Sequence, residues 1–141
     1  MAKAILNQES VSLIDDAMEQ CIYTDYFQGK RGGVSLDFTG FKGTFVRRGH
    51  IVIHKPGETD SHKPMPVTAD FGTYEALPAG YNYYGFCING HNKGEVANGV
   101  GVRGNRNPRA FDATKGYYDV TAILPALKTA LPLVTFLGDN D

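Results

Sequence analysis

Between residues 10 and 22 the apolar side chains Ile14, Ala17, Met18, Cys21 and Ile22 recur at three- and four-residue intervals, with Asp15, Asp16, Glu19 and Gln20 between them. Positions so spaced share one face of a helix, which predicts an amphipathic helix over residues 10–22. The pattern ends at Gln28-Gly29-Lys30-Arg31-Gly32-Gly33, where glycine freedom and two adjacent cations predict an exposed loop. That loop reads as a hinge between an N-terminal arm, residues 1–33, and a body, residues 34–141. Past it the period changes to two. Val34, Leu36 and Phe38 alternate with polar residues, then Thr44-Phe45-Val46 leads toward His50-Ile51-Val52-Ile53-His54. Both runs predict strands. Residues 55–64 hold Pro56 and Pro64 and almost no apolar side chain, which predicts a projecting loop.

Further short strands are predicted over residues 65–69, 73–76 and 83–89, the last after the turn Leu77-Pro78-Ala79-Gly80. Asn89-Gly90 and Lys93-Gly94 bracket a turn into a strand over residues 95–103. Gly104-Asn105-Arg106-Asn107-Pro108 cannot hold a helix and reads as loop. A short helix follows over residues 121–131, with Thr121 as its cap, Pro125 in its first turn and Pro132 as its stop. A final strand over residues 133–137 supplies an edge. The predicted fold class is mainly β (α+β): a small β-barrel or sandwich-like body, an N-terminal helix or arm, and a short C-terminal helix.

Composition narrows the function more than the fold. The 141 residues carry a net charge of −1, without the basic excess that drives nonspecific phosphate binding, so no direct nucleic-acid contact is expected. No apolar run approaches the roughly 18 residues that cross a bilayer, and the start of the chain lacks the apolar stretch of a signal peptide. No membrane partner and synthesis in a cytoplasm are the expectations. Cys21 and Cys87 belong to no metal-type pair and read as free thiols.

The literal G-x-G-x-x-G of Gly99-Val100-Gly101-Val102-Arg103-Gly104 runs into Asn105-Arg106-Asn107-Pro108, where no helix can present its amides to a pyrophosphate. It reads instead as a strand whose glycines permit close backbone approach. His50 and His54 stand about 13 Å apart along an extended strand, too far for one metal ion. His62, with Glu58 and Asp60, falls in the projecting loop without a metal-ligand spacing. The histidines therefore read as solvated loop and strand-face residues. Ser10, Ser12, Ser35 and Ser61 sit in no nucleophile-elbow context. Neither a catalytic residue, a cofactor nor a metal ligand is assigned, and the chain is expected not to be an enzyme.

Two features point to a partner surface. Tyr81, Tyr83 and Tyr84 cluster around Asn82, and tyrosines combine contact area with a polar tip. Sheet packing is the alternative for them. Arg103, Arg106 and Arg109 form a local basic patch suited to carboxylates, with a solvated loop as the alternative. With Ile14 and Met18 on the predicted helix and Lys30 and Arg31 in the hinge, these make the candidate contacts: Ile14, Met18, Lys30, Arg31, Tyr81, Tyr83, Arg103, Arg106 and Arg109.

About half of the chain, residues 66–137, resembles the head decoration (capsid cement) proteins of tailed bacteriophages. The resemblance lies in Val67-Thr68, the Leu77-Pro78-Ala79-Gly80 turn, the strand Tyr84-Gly85-Phe86-Cys87-Ile88 and the glycine-rich strand ending at Val102. Its most telling part is the closing run from Ile123-Leu124-Pro125-Ala126-Leu127 through Leu133-Val134-Thr135-Phe136. In that family a small β-rich body is followed by a short helix and a final apolar strand. The resemblance implies a structural virion protein that binds the major capsid protein on the outer shell and bridges its subunits. Other copies of itself or head fibres are further partners. Family members often begin with an extended arm, whereas residues 10–22 read as a helix, so a helix lying in a capsid groove is the alternative docking mode. A head-fibre or tail adaptor subunit, or a carbohydrate-binding module using Tyr81, Tyr83 and Tyr84, competes with this assignment, and a small enzyme stands behind them.

Overall fold

In the computed structural model, residues 16–59, 61–69, 72–96 and 98–137 are described. Inside the sheet lies β3 (Ile51–His54), where Ile51, Val52 and Ile53 are all completely buried. Three consecutive buried side chains on a strand require cover on both faces, because neighbours point to opposite sides. The two cores supply it. Ile51 and Ile53 join Ile22, Tyr23, Phe86, Leu127, Val134 and Phe136 in one cluster, while Val52 joins Val34, Leu36, Phe38, Val46, Cys87 and Val100 in the other. Burying each such Ile, Val or Phe is worth about 1.5–3 kcal/mol.

The chain runs α1 (Asp16–Ile22), β1 (Tyr23–Gly29), β2 (Phe45–Val46), β3, β4 (Lys63–Pro64), β5 (Asn82–Cys87), β6 (His91–Asn92), β7 (Val100–Arg106), α2 (Leu124–Ala130) and β8 (Val134–Thr135). The main sheet has the order β1-β7-β5-β3-β4, all antiparallel, and β8 pairs in parallel with β7. β5 pairs β7 at Val100 and Gly101, and β8 pairs it at Gly104 and Asn105, so β8 takes up the ladder beyond β5. A ribbon of β2 and β6 stands apart. The protein is mainly β with antiparallel sheets and a helix toward each end. Among the described residues the sheet is not a closed barrel: its path ends at β1 and β4.

Several local expectations change. The described part of the predicted N-terminal helix is α1, one seven-residue segment; residues 10–15 lie outside the described residues. β1 occupies positions where no strand is predicted, and it takes Gln28 and Gly29 from the expected hinge. Two register shifts bulge it against β7, which explains why its sequence shows no alternation. Ile22 and Tyr23 are fully buried and β1 pairs with β7, so β1 belongs to the same sheet as the body. Val34, Leu36 and Phe38 are buried as their alternation predicts, but the segment makes only a single bridge, Val34 to Asn98, with the Leu36 N–H donating to Asn98 Oδ1 at 3.0 Å. Residues 65–69 and 73–76 likewise meet at one bridge, Val67 to Tyr74.

The expected loop at residues 104–108 is strand as far as Arg106. Thr121 does not cap α2. It lies in a 3-10 turn, Thr121–Ile123, and gives both its N–H and its hydroxyl to Asp119 Oδ1 at 2.9 and 2.8 Å. Pro125 does sit in the first turn of α2, and the helix ends before Pro132. The glycine-rich motif is the strand expected of it: a side chain on Gly101 would meet the Tyr23 hydroxyl at 2.6 Å, and one on Gly85 would collide with the Gly101 carbonyl. Gly101 lets β7 pack against the Tyr23 ring of β1, and Gly85 lets β5 approach β7.

Candidate functional site

The three arginines do not form one patch. Arg103 and Arg109 are exposed, but the Arg106 side chain at the end of β7 turns inward and is 1% exposed. Its Nε donates to Gly49 O at 3.1 Å, its Nη1 to Asn107 O at 2.7 Å and its Nη2 to Tyr118 O at 3.3 Å. The guanidinium also lies 5.8 Å from the Phe86 ring centroid. Burial lowers its pKa to about 10, still far above neutrality, so the group stays charged and pins three loops to the sheet. Gly49 makes room for it: at φ +85° a side chain there would lie 3.3 Å from Arg106 Nε.

The solvated assignment of the histidines also fails, since His50, His62 and His91 are all buried. His50 is 2% exposed and edge-packed by Phe41, Tyr74 and Tyr118 at 5.1–5.7 Å between centroids. Its Nε2 donates to Met65 O at 3.0 Å, which leaves Nδ1 as the unprotonated nitrogen. Burial lowers its pKa to about 4. His62, expected in a projecting loop, lies at the mouth of the β3–β4 hairpin and is 8% exposed. It continues the ladder in which Val52 faces Pro64 and Ile53 faces Lys63, and so stands across from His54. The two imidazoles are parallel within 14° with centroids 5.5 Å apart, and the Tyr84 ring abuts both, at 4.8 Å from His54 and 4.4 Å from His62. Burial lowers the His54 pKa. Cys87 is fully buried, as expected of a core thiol, and burial pushes its pKa up to about 12, which makes it a poor nucleophile.

The tyrosine cluster divides between the two faces. Tyr81 and Tyr83 pack at the rim of the first core, whereas Tyr84, the bulged residue of β5, packs on the second. All three rings are half-buried against the cores, as the sheet-packing alternative has it. Met18 turns toward the first core, Ile14 lies outside the described residues, and Lys30 and Arg31 are exposed in the turn after β1. The Lys30 side chain lines a concavity of about 390 Å³ together with His54, Glu58, Thr59, His62 and Tyr84.

The hairpin end of the sheet also gathers two residues that the sequence pattern passed over. Lys55 and Lys63 place their Nζ atoms 5.4 and 5.3 Å from the Tyr81 ring centroid. The available signal was the repeated Lys-Pro dipeptide at the two ends of the hairpin loop, because a residue before proline is held extended. Ser61 closes that loop, accepting from the Lys55 N–H at 2.9 Å. Beyond Tyr83 and His54 lies a shallow concavity of about 530 Å³ bordered by Leu77, Asn82, Ala126 and Thr129. Among the described residues no three His, Cys, Asp or Glu side chains gather as a metal site, and no helix is long and apolar enough to cross a membrane. No protein-family model, curated protein or solved structure matches the chain.

Proposed function

We propose that the chain is a structural virion protein of the tailed-phage head decoration type, one that binds the outer surface of the capsid and stabilises contacts between major capsid subunits. One observation carries the proposal: the closing run in which a β-rich body gives way to the short helix α2 and then to the apolar strand β8. That order of elements is the part of the chain that most resembles the family. The buried titratable groups fit a binding protein better than a catalyst, since His50, Cys87 and Arg106 are each enclosed in packing or bonded to backbone. A scaffold so pinned presents its surface loops with little loss of freedom on docking. Repetition over a symmetric shell lets modest contacts add up.

Sedimentation with phage shells stripped of their decoration protein tests the proposal. Purified protein is expected to co-sediment with expanded shells at saturating stoichiometry and to raise their thermal disruption temperature. Failure to bind the shells, with binding instead to an oligosaccharide array, overturns it in favour of a carbohydrate-binding module.

A further inference from the structure

We infer that the Lys55–Tyr81–Lys63 cluster is a docking point for the carboxylates of an acidic segment on a partner protein. The assignment rests on the capsid-binding proposal for the identity of the partner, and on the cluster itself for its chemistry. Two ammonium groups are held against one aromatic ring, at 5.4 and 5.3 Å from its centroid. The electron-rich ring attracts each cation, but it does not neutralise either charge. Among the described residues neither lysine has a carboxylate within ion-pair distance. Asp37, which feels the Lys63 charge, is held by hydrogen bonds from Thr39, with its Oδ1 accepting the Thr39 N–H at 2.9 Å. Among the described residues the cluster therefore holds two positive charges without an ion pair, only that of Lys63 being partly offset through space by Asp37.

The backbone beneath the two lysines is fixed. Lys63 is in register with Ile53 on β3, Lys55 is tied to Ser61, and a proline follows each. Both side chains and Tyr81 are half-buried, which keeps their stems in place and leaves the charged heads at the surface. Tyr81 leads through Asn82 and Tyr83 into the concavity bordered by Leu77 and Ala126. A carboxylate fits the lysines, and an apolar neighbour of that carboxylate fits the concavity. Lysine ammonium groups accept phosphate as readily as carboxylate, so a phosphodiester is the rival ligand. The adjoining concavity bordered by Leu77 and Ala126 suits an apolar side chain next to the carboxylate, which a peptide supplies and a phosphodiester backbone does not, and this favours a protein partner.

NMR titration of the full chain with octaglutamate tests the assignment, with octathymidylate as the rival probe. Saturating shifts centred on the Tyr81 ring and the Lys55 and Lys63 side chains are expected, and affinity should fall about tenfold in K55Q/K63Q, since two charge-assisted contacts are lost. The charge reversal K55E/K63E should abolish octaglutamate binding and gain octalysine binding at the same ring. Unchanged octaglutamate affinity in K55Q/K63Q, shifts centred on Lys30 and Arg31, or equal binding of octathymidylate at Tyr81 each overturns the assignment. Shell binding by K55Q/K63Q indistinguishable from wild type also overturns it and leaves the capsid proposal standing. Octaglutamate binding at Tyr81 without any shell binding removes the capsid proposal and leaves the acidic-segment site.

Discussion

Arg106 and the Lys55–Lys63 pair bring cations to the same sheet with opposite outcomes. At Arg106 the charge is fully buried, and backbone carbonyls of Gly49, Asn107 and Tyr118 answer it. At the hairpin end two ammonium groups share one ring and meet no carboxylate among the described residues. The histidines divide in the same way: His50 is sealed among three aromatic rings, while His54 stands at the edge of an open concavity. Polar groups in the centre of the fold are committed to holding loops together. At the hairpin end the Lys55 and Lys63 ammonium groups make no ion pair among the described residues, and it is these that the proposed acidic partner would engage.

The sharpest way to break this contrast is to remove the central cation. Arg106→Met keeps much of the volume but strips the donors from three buried carbonyls, and it should destabilise the fold by about 3–5 kcal/mol, since each buried acceptor left unpaired costs about 1–3 kcal/mol. Urea unfolding at pH 7.5 measures this, and a loss below about 1 kcal/mol would show that the guanidinium does not organise the loops. Next in size is the pH response of His50. Its folded pKa of about 4 lies below the unfolded value near 6.5, so the unfolded state binds more protons between these limits. The contribution of His50 is complete above about pH 6.5 and falls by roughly 3 kcal/mol as the pH drops through 4. Unfolding measured across that window should show this slope in the wild type. His50→Gln, which retains a donor for Met65 O, should lose the slope. The smallest effect belongs to the hairpin end: Lys55→Gln and Lys63→Gln should each change stability by less than about 0.5 kcal/mol, as for surface charges without partners. A loss of 2 kcal/mol in either variant would place that lysine with Arg106 as a structural cation.

What could be read along the chain follows the same physical division. The continuous run Ile51-Val52-Ile53 marks a strand, and the closing helix and strand are set by Pro125, Pro132 and the apolar residues that follow. Val34, Leu36 and Phe38 reveal their burial but not their hydrogen bonding, because alternation reports which way side chains point and carries no information about a neighbouring strand. β1 escapes notice because its bulges interrupt the period of two. The arginine patch fails for a related reason: spacing placed Arg103, Arg106 and Arg109 together, yet β7 continues to Arg106 and turns that residue inward. Lys55 and Lys63, eight positions apart, come to one ring only when β3 and β4 pair.

By itself the sequence determined the β-rich class, the buried faces of its main strands and the closing helix, since these depend on local periodicity and on where proline and glycine stand. The tertiary structure alone decided which polar groups became pillars and which stayed at the surface. That outcome depends on the register between distant strands, which sets whether a cation meets a backbone carbonyl, an aromatic face or water.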